Sequence, residues 1–406
     1  MKNNKIIKSL IFSFIIIVFS FGCADDTTPT IYRDIPNGKA PVITAVEPAD
    51  TCLAGVSRVT ITGENFSSDI SKLVVFFNSE KAKIFEASET RIVVQAPYVL
   101  GDSIAIKIGV QGSLLYNEPY YIEGKPPVVS VINFLEIEEP YGIALDNKNT
   151  LFFNMVLNSV SNGLKKFTAA EGVIDFSPKG GESNYLELRY FDNALYGTRI
   201  QKVRAIFKSV ENTSPKALPV SNKKMKFTTL DFDKDKNIWA GGEGGEIYSF
   251  SQDFNTKVAF SFDGKIQSMR YFDKYLYFVG QKDSLYKIWR TEIFSADSIG
   301  PIKEYYNLTE NLGDYTATSI TFSKDGKLFI GTSAEGYDPN ALVYLDENKN
   351  IVQWYPGLIS GPVLNLTWDN TVNLYYVRQK VEDKSQSQLI MRINTGLEGA
   401  PQFGKD

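Results

Sequence analysis

The sequence predicts an all-β protein with two domains, a small β-sandwich followed by a β-propeller of six blades. Three observations predict this fold class. The chain has 406 residues, which is the length of two or three ordinary domains. Its 27 Phe and 22 Tyr, together with many β-branched residues, favour strands over helices. Six similar segments recur in the C-terminal two thirds of the chain, which indicates a repeat architecture.

The N-terminus has the layout of an export signal. Three lysines in residues 1–8 precede an apolar run at 9–21, and Gly22 stands directly before Cys23. A positive start, a short apolar stretch and a small residue predict a signal peptide over residues 1–22. The apolar run is shorter than a typical transmembrane helix.

The residues around Cys23 carry a resemblance of their own. Gly22-Cys23 resembles the lipobox of bacterial lipoproteins, and the following Ala24-Asp25-Asp26 resembles the surface-export signal of Bacteroidota lipoproteins. This resemblance implies lipidation of Cys23 and a cell-surface position on the outer membrane, with the lipid as the only contact with the membrane. An ordinary cleaved signal peptide is the alternative. Residues 23–40 are polar and are predicted to form a flexible tether.

Short strand-like segments separated by turn residues fill residues 41–123, and they predict a β-sandwich. Several motifs in this range resemble the IPT/TIG family of immunoglobulin-like domains, namely Pro41-x-Ile43-x-x-Val46-x-Pro48, Val59-Thr60-Ile61-x-Gly63-x-Asn65-Phe66, Val94-x-x-Pro97 and Tyr120-Tyr121-Ile122. The resemblance implies a spacer or docking module. We expect Gly63 and Asn65 to form a tight turn with positive φ, and Phe66 to close the end of the sandwich.

The repeats lie within residues 127–400. Each has an apolar-x-apolar strand, a polar turn and an apolar-aromatic strand, and their matching positions are Ile143, Leu188, Leu230, Met269, Ile320 and Leu366. These positions are 39 to 51 residues apart, which is the period of a four-stranded propeller blade. The first repeat, Gly-Ile-Ala-Leu-Asp before an aromatic strand, resembles the NHL type of propeller. Residues 128–133 are predicted to supply the outer strand of the last blade, because that pairing would remove an open sheet edge.

Composition excludes several classes of function. The chain has no histidine, so no Ser-His-Asp or Cys-His catalytic system and no histidine-ligated metal is expected. The net charge is −4 and no basic patch stands out, so nucleic-acid binding is not predicted. If Cys23 is lipidated, Cys52 has no partner, and we expect it to be a small buried hydrophobic residue.

Aromatic residues supply the first candidate ligand contacts. Trp239 and Trp368 align with apolar aromatic positions of the other repeats and are predicted to lie in the core between blades. Trp289 and Trp354 follow no such rule, so they are candidates for exposed stacking platforms, with outer-strand packing as the alternative. Tyr337, with Asp338 beside it in the long loop 331–340, could bind a sugar, or the loop tip could simply be solvated.

Charged residues supply the second set of candidates. Four of them fall at or near inner positions of the innermost strands, namely Glu187, Arg189, Asp231 and Arg270. They could bind a polar ligand in the channel, but we favour the interpretation that they pair with one another across blades and form a structural network. Asp231, Asp233 and Asp235 superficially resemble a calcium ladder. No EF-hand pattern completes it, so turn chemistry is preferred.

These observations favour a binding module over an enzyme. No catalytic residue and no metal site can be assigned. The layout resembles the glycan-binding accessory lipoproteins of Bacteroidota, which implies capture of a polysaccharide or oligosaccharide for an outer-membrane transporter. Two alternatives stay open: an envelope protein-docking scaffold, and a propeller hydrolase or lyase that uses carboxylates or calcium.

Overall fold

The computed structural model describes residues 38–177, 185–199, 204–251, 253–254, 257–381, 383 and 386–403. The expected signal peptide, Cys23 and nearly all of the tether lie outside these residues. The chain divides into two compact units after Lys125. Within the described ranges, no helix is both long and apolar enough to span a membrane.

The first unit consists of two facing sheets, which form an immunoglobulin-like sandwich. One sheet has the order β1-β3-β7-β6 and the other β2-β9-β8-β4-β5, with a short 3-10 turn at Ile70–Lys72 before β4. The strands are β1 Val42–Glu47, β2 Thr51–Leu53, β3 Arg58–Glu64, β4 Leu73–Phe77, β5 Glu80–Lys81, β6 Lys83–Ala87, β7 Arg91–Gln95, β8 Gly101–Val110 and β9 Tyr120–Lys125. Alternate apolar residues of β3, β4 and β8 form the core.

The turn after β3 follows the sequence prediction in part. Asn65 has a φ of 61°, and Phe66 is buried in the core of the sandwich. The expectation of a positive φ at Gly63 is wrong. A Cβ atom on Gly63 would lie 1.9 Å from the carbonyl oxygen of Val42, so this position needs glycine for close approach of β1. Cys52 is a buried free thiol, and burial raises its pKa.

The second unit consists of six four-stranded antiparallel blades. Blades 1–3 contain β11 Glu138–Leu145, β12 Leu151–Leu157, β13 Val160–Thr168 and β14 Gly172–Asp175, then β15 Tyr185–Phe191, β16 Ala194–Arg199, β17 Ala205–Val210 and β18 Lys216–Pro219, then β19 Lys226–Phe232, β20 Ile238–Glu243, β21 Glu246–Phe250 and β22 Lys257–Ser261. The first strand of each blade lines the channel, and successive first strands are neighbours around the ring.

Blades 4–6 repeat this plan with one addition. Their strands are β23 Lys265–Phe272, β24 Tyr275–Lys282, β25 Leu285–Ser295 and β27 Lys303–Asn307, then β28 Ala317–Phe322, β29 Leu328–Thr332, β30 Leu342–Leu345 and β31 Ile351–Gln353, then β32 Val363–Trp368, β33 Asn373–Arg378, β34 Leu389–Asn394 and β10 Val128–Ser130. In blade 4, the two-residue strand β26 Ser298–Ile299 pairs with the end of β25, and the short helix α1 Leu308–Asn311 follows β27.

The ring is closed by pairing of the beginning of the unit with its last blade. Val128 pairs with Ile393 and Ser130 with Met391, so β10 is the outer strand of blade 6. This is the pairing that the sequence suggested for residues 128–133. The N–H of Val131 extends it by one further hydrogen bond, to the carbonyl oxygen of Ile390 at 2.9 Å. An edge that would otherwise be open is thereby covered.

The two tryptophans assigned to the core lie there. Trp239 is fully buried with Ile266 and Met269, between blades 3 and 4. Trp368 is buried against Phe329, between blades 5 and 6, with the ring centroids 5.6 Å apart. Large aromatic rings at matching positions thus fill the spaces between neighbouring blades.

Candidate functional site

Four charged side chains meet inside the channel, and all are at most 7% exposed. Arg189 lies between two acids: its Nη2 donates to Glu187 Oε1, and its Nε donates to Asp231 Oδ1 at 3.3 Å. Two cations and two anions balance here, which is the condition under which buried charges are tolerated. The pairing across blades that the sequence analysis favoured is therefore present, and we call these four residues the channel network.

Arg270 extends the channel network across the propeller axis. From blade 4, its Nη1 lies 3.1 Å from Glu187 Oε1 in blade 2, and its Nη2 lies 2.5 Å from the carbonyl oxygen of Leu366 in blade 6. Neither blade is a neighbour of blade 4 in a ring of six. A guanidinium group that reaches both must cross the channel, and it obstructs the passage there.

Asp231 joins the channel network to the next blade. Its Oδ2 accepts the backbone N–H of Tyr271 at 2.8 Å. Burial raises the pKa of Asp231 to about 6, although the neighbouring Arg189 opposes the shift. The carboxyl group therefore changes its protonation state close to neutral pH.

Glu187 occupies a position that has another role in other blades. The equivalent residue, directly before the matching apolar position, is a hydroxyl residue in blades 3, 4 and 5. Its oxygen accepts a backbone N–H of the following blade: Thr229 from Met269 at 2.9 Å, Ser268 from Ile320 at 3.1 Å, and Ser319 from Leu366 at 2.9 Å. In blade 2 the longer Glu187 accepts instead from the two guanidinium groups of the channel network.

A cavity of about 380 Å³ opens at the face where the innermost strands begin. We call it the channel mouth; it is lined by Leu186, Glu187, Thr228, Gln267, Ser268, Thr316, Thr318, Ser319, Ser333, Leu364, Asn365 and Gln379. Glu187 is the one charged residue among these lining residues. Most of the other lining residues carry hydroxyl or amide groups, so the channel mouth offers hydrogen-bonding groups and little charge alongside apolar surface.

The amide side chains at the channel mouth are available for a ligand. Those of Gln267, Asn365 and Gln379 make no hydrogen bond to any part of the chain that the structure describes, and Gln267 and Gln379 are exposed. Two of the hydroxyl groups are already donors, since Thr228 donates to the carbonyl oxygen of Ile266 and Thr318 to that of Val363. Together these groups offer both donors and acceptors to a ligand.

The rim loop of blade 5 exposes one of the predicted ligand contacts, Tyr337, to solvent. The Tyr337 ring is 65% exposed in the loop that begins at Ser333, a lining residue of the channel mouth. Asp338 has a structural role that the sequence did not suggest. Its carboxylate accepts the hydroxyl of Tyr315 at 2.7 Å and the N–H of Asn340 at 2.8 Å, which ties the loop to its own blade.

The expectation of exposed platforms at Trp289 and Trp354 is wrong. Both rings are partly buried in the outer layers of their blades. Trp289 packs edge-on against Phe262 with the centroids 5.6 Å apart, and Trp354 packs edge-on against Phe329 at 5.2 Å. Packing in the outer part of the blade, the alternative, accounts for these two tryptophans, because aromatic neighbours contact both rings.

The C-terminal segment, residues 395–403, covers the opposite face of the channel. Ala400 donates to the carbonyl oxygen of Phe322 at 3.0 Å, and Thr367 donates to Gln402 Oε1 at 3.3 Å. The Phe403 ring packs against Tyr271 with the centroids 5.6 Å apart. Sequence reasoning missed this segment, because it follows the last repeat and has no periodic pattern of its own.

The aspartates of the blade 3 hairpin close a turn. Asp233 Oδ1 accepts the N–H groups of Asp235 and Asn237, both at 2.9 Å, and Asp233 Oδ2 accepts the indole N–H of Trp239 at 2.8 Å. Asp146 and Asp369 bind the turn N–H groups of blades 1 and 6 in the same way. Asp233 has the turn role that was preferred from the sequence, whereas Asp231 belongs to the channel network and not to the turn.

Comparisons with known proteins agree with this architecture. Residues 41–122 match the family described as the IPT/TIG domain, and the first unit is an IPT/TIG domain. A β-propeller of six blades follows it. The search of curated proteins finds no match for the chain.

Solved structures from bacteria show similar folds at low identity. A putative phosphatase from Bacteroides thetaiotaomicron is 10% identical, with 89% of this chain and 98% of that chain covered and a TM-score of 0.54. An auxiliary nutrient binding protein from the same organism is 10% identical, with 87% and 97% covered and a TM-score of 0.47. Virginiamycin B lyase from Staphylococcus aureus is 12% identical, with 80% and 99% covered and a TM-score of 0.47. At these identities, the likeness concerns the fold alone.

Proposed function

We propose that this protein captures a glycan at the channel mouth and performs no chemistry on it. The observation that carries the proposal is the lining of a cavity of about 380 Å³, in which hydroxyl and amide side chains accompany a single, already paired carboxylate. Sugar hydroxyls both donate and accept hydrogen bonds, so amides and hydroxyls are suitable partners for them.

The rim adds an aromatic surface to this polar lining. Tyr337 presents an exposed ring in the loop that leaves the cavity at Ser333, and Asp338 holds that loop against Tyr315. Tyrosine combines a flat apolar face with a polar tip. A ring of this kind suits the apolar face of a pyranose, while the hydroxyl and amide groups of the channel mouth contact its polar edge.

The hydrolase or lyase alternative lacks a suitable pair of groups at this site. Glycoside hydrolysis ordinarily uses two carboxyl groups about 5–9.5 Å apart, one on each side of the scissile bond. Glu187 is the single carboxylate among the lining residues, and it is held by both Arg189 and Arg270. Its Oε1 already accepts hydrogen bonds from both guanidinium groups, and no second carboxylate among the lining residues completes a pair. Capture therefore fits the channel mouth better than catalysis does.

We also propose that the protein is anchored to the outer membrane by a lipid on Cys23, faces the cell surface and delivers its glycan to an outer-membrane transporter. The support is the sequence before residue 27, in which a signal-like stretch ends at Gly22-Cys23 and two aspartates follow. Substitution Cys23→Ala should move the protein from the membrane fraction to the soluble fraction. An unchanged distribution would contradict the anchor without affecting the glycan proposal.

Affinity gel electrophoresis of the purified protein against a panel of soluble polysaccharides tests glycan capture. We expect retardation on at least one polysaccharide with no released oligosaccharide. The double variant Gln267→Ala/Gln379→Ala should lose that retardation, whereas Gln111→Ala, an exposed position in the IPT/TIG domain, should keep it. Released oligosaccharides would favour the hydrolase or lyase. Absence of retardation on every polysaccharide would favour the docking scaffold.

A further inference from the structure

The channel behind the mouth is obstructed by side chains of the channel network. Arg270 is 3% exposed and crosses the axis between Glu187 of blade 2 and the carbonyl oxygen of Leu366 in blade 6. Separating Arg270 from Glu187 would leave buried charges unpaired, which would lower the stability of the fold. A ligand that enters the mouth therefore meets a rigid floor.

The opposite face of the channel has a second barrier. Gly399 packs so closely on Trp368 that a Cβ atom there would lie 2.2 Å from the indole Cγ. Beyond it, Gln402 pairs with Thr367 and Phe403 packs against Tyr271. A glycan chain therefore cannot thread through the propeller from one face to the other.

Loops of blades 5 and 6 are joined to one another at the rim of the mouth. Gly336 and Gly361 exchange two backbone hydrogen bonds, of 3.1 Å and 2.7 Å, between the loops of these blades. Gln386 of the next loop donates its Nε2 to the carbonyl oxygen of Gly361 at 2.7 Å. The same loops contain the lining residues Ser333 and Gln379, so they border the cavity. We infer that loops held together in this way hinder a chain from lying across the opening.

These three features lead to an inference that rests on the proposed function. We propose that the channel mouth binds the end of a glycan chain, one or two terminal sugars, and not a stretch in its interior. A cavity of about 380 Å³ lies near the lower limit for small-ligand sites, which span about 300–1,000 Å³. The lining residues include no lysine or arginine that could bind a carboxylate or sulfate group, so we expect a neutral terminal sugar.

If the channel mouth binds chain ends, the number of binding sites on a polysaccharide should follow its number of chain ends. The test uses a polysaccharide that the protein retains, titrated by calorimetry before and after partial cleavage by an endo-acting hydrolase. We expect the number of binding sites per gram to rise in proportion to the new ends, with little change in Kd. The terminal disaccharide should compete for the same site. An unchanged or lower number of sites per gram after cleavage, or a Kd that weakens more than about tenfold as the chains shorten, would overturn end recognition.

A pair of matched variants links this behaviour to the channel mouth. Ser333→Trp places a bulky ring in the cavity and should abolish binding of both polymer and disaccharide, whereas Ser298→Trp on the exposed strand β26 should leave both unchanged. If Ser333→Trp does not fold, the variant Gln267→Ala/Gln379→Ala serves the same purpose. Unchanged disaccharide binding by a folded variant would contradict the inference. Failure of every polysaccharide to bind would instead contradict the proposed function.

Discussion

Arg270 of blade 4 and Glu187 of blade 2 form an ion pair across the propeller axis, with Nη1 and Oε1 3.1 Å apart. The two residues are separated by the whole of blade 3 in the ring. Their pairing has two consequences, one for the stability of the ring and one for its ligand. It links blades that are not neighbours in the ring, and it closes the channel behind the mouth, so that the mouth is a pocket with a floor.

Loss of the crossing arginine should destabilise the whole propeller. In Arg270→Met, Glu187 keeps Arg189 but loses its second cation, and the carbonyl oxygen of Leu366 loses a donor. Breaking a buried pair on one side ordinarily costs about 3–5 kcal/mol. Urea unfolding should show a fall of that size in the free energy of unfolding. Arg392→Met, at an exposed position on β34, is the control and should change stability by less than about 0.5 kcal/mol.

The stability of the protein should fall as pH rises through the raised pKa of Asp231. The folded chain binds a proton at about pH 6, whereas the unfolded chain binds it near the ordinary value of 3.8. The stabilising contribution of this protonation is fully present below the unfolded value and is lost as pH rises through about 6. Between pH 5 and pH 7, the wild type should lose about 1 kcal/mol more than Asp231→Asn does.

Unfolding titrations at pH 5, 6 and 7 measure this difference. Asp273→Asn is the matched control, because Asp273 is exposed in a turn with a φ of 43°, which asparagine tolerates. The control should follow the wild type at every pH. Equal pH dependence of the wild type and Asp231→Asn would show that Asp231 does not titrate in this range.

The substitution Gly399→Ala should release the C-terminal segment from the channel face. In Gly399→Ala, the new Cβ would lie 2.2 Å from Cγ of Trp368, so the segment has to move away from the channel face. Overpacking of this kind costs about 1–3 kcal/mol. We expect a lower melting temperature and faster proteolysis after residue 395. Gly300→Ala meets its nearest neighbour at an ordinary 3.5 Å and should resemble the wild type. Unchanged proteolysis of Gly399→Ala would contradict the packing described.

The hydroxyl contacts between neighbouring blades should each contribute measurably to stability. In the wild type, the N–H of Leu366 donates to Ser319 Oγ, with the nitrogen and oxygen 2.9 Å apart. Ser319→Ala removes this acceptor. A buried donor without a partner costs about 1–3 kcal/mol. Differential scanning calorimetry should show the loss for Ser319→Ala and none for the exposed Ser298→Ala. Equal melting temperatures would assign the blade contacts to apolar packing alone.

The features that repeat were predictable from the sequence. Strand alternation and spacing indicated six blades, and alignment of the repeats assigned Trp239 and Trp368 to the core, because every blade has to fill the same space. The outer strand Val128–Ser130 followed from the need to cover an edge. The motif of the first domain indicated an IPT/TIG fold, which its family match also supports.

The candidate site depends on contacts that the repeat pattern does not predict. Arg270 and Glu187 are 83 residues apart, and only the ring geometry brings them together. Trp289 and Trp354 had no counterpart in other blades, so sequence could not distinguish an exposed ring from one packed by outer strands. Gln267 lies at an irregularity within β23, and Gln379 directly follows β33. Neither belongs to the repeat pattern, and they became candidates only when the strands were placed around one opening.

Hydrogen exchange with and without a bound glycan tests the central claim, that the ligand occupies the channel mouth. The glycan is the one that retards the protein most strongly in the affinity gels, and exchange is followed by mass spectrometry. We expect protection in four stretches that line the mouth or its rim, namely 315–319, 333–338, 364–365 and 378–379. Protection confined to the outer strands of the blades or to residues 41–122, with the channel mouth unchanged, would contradict it.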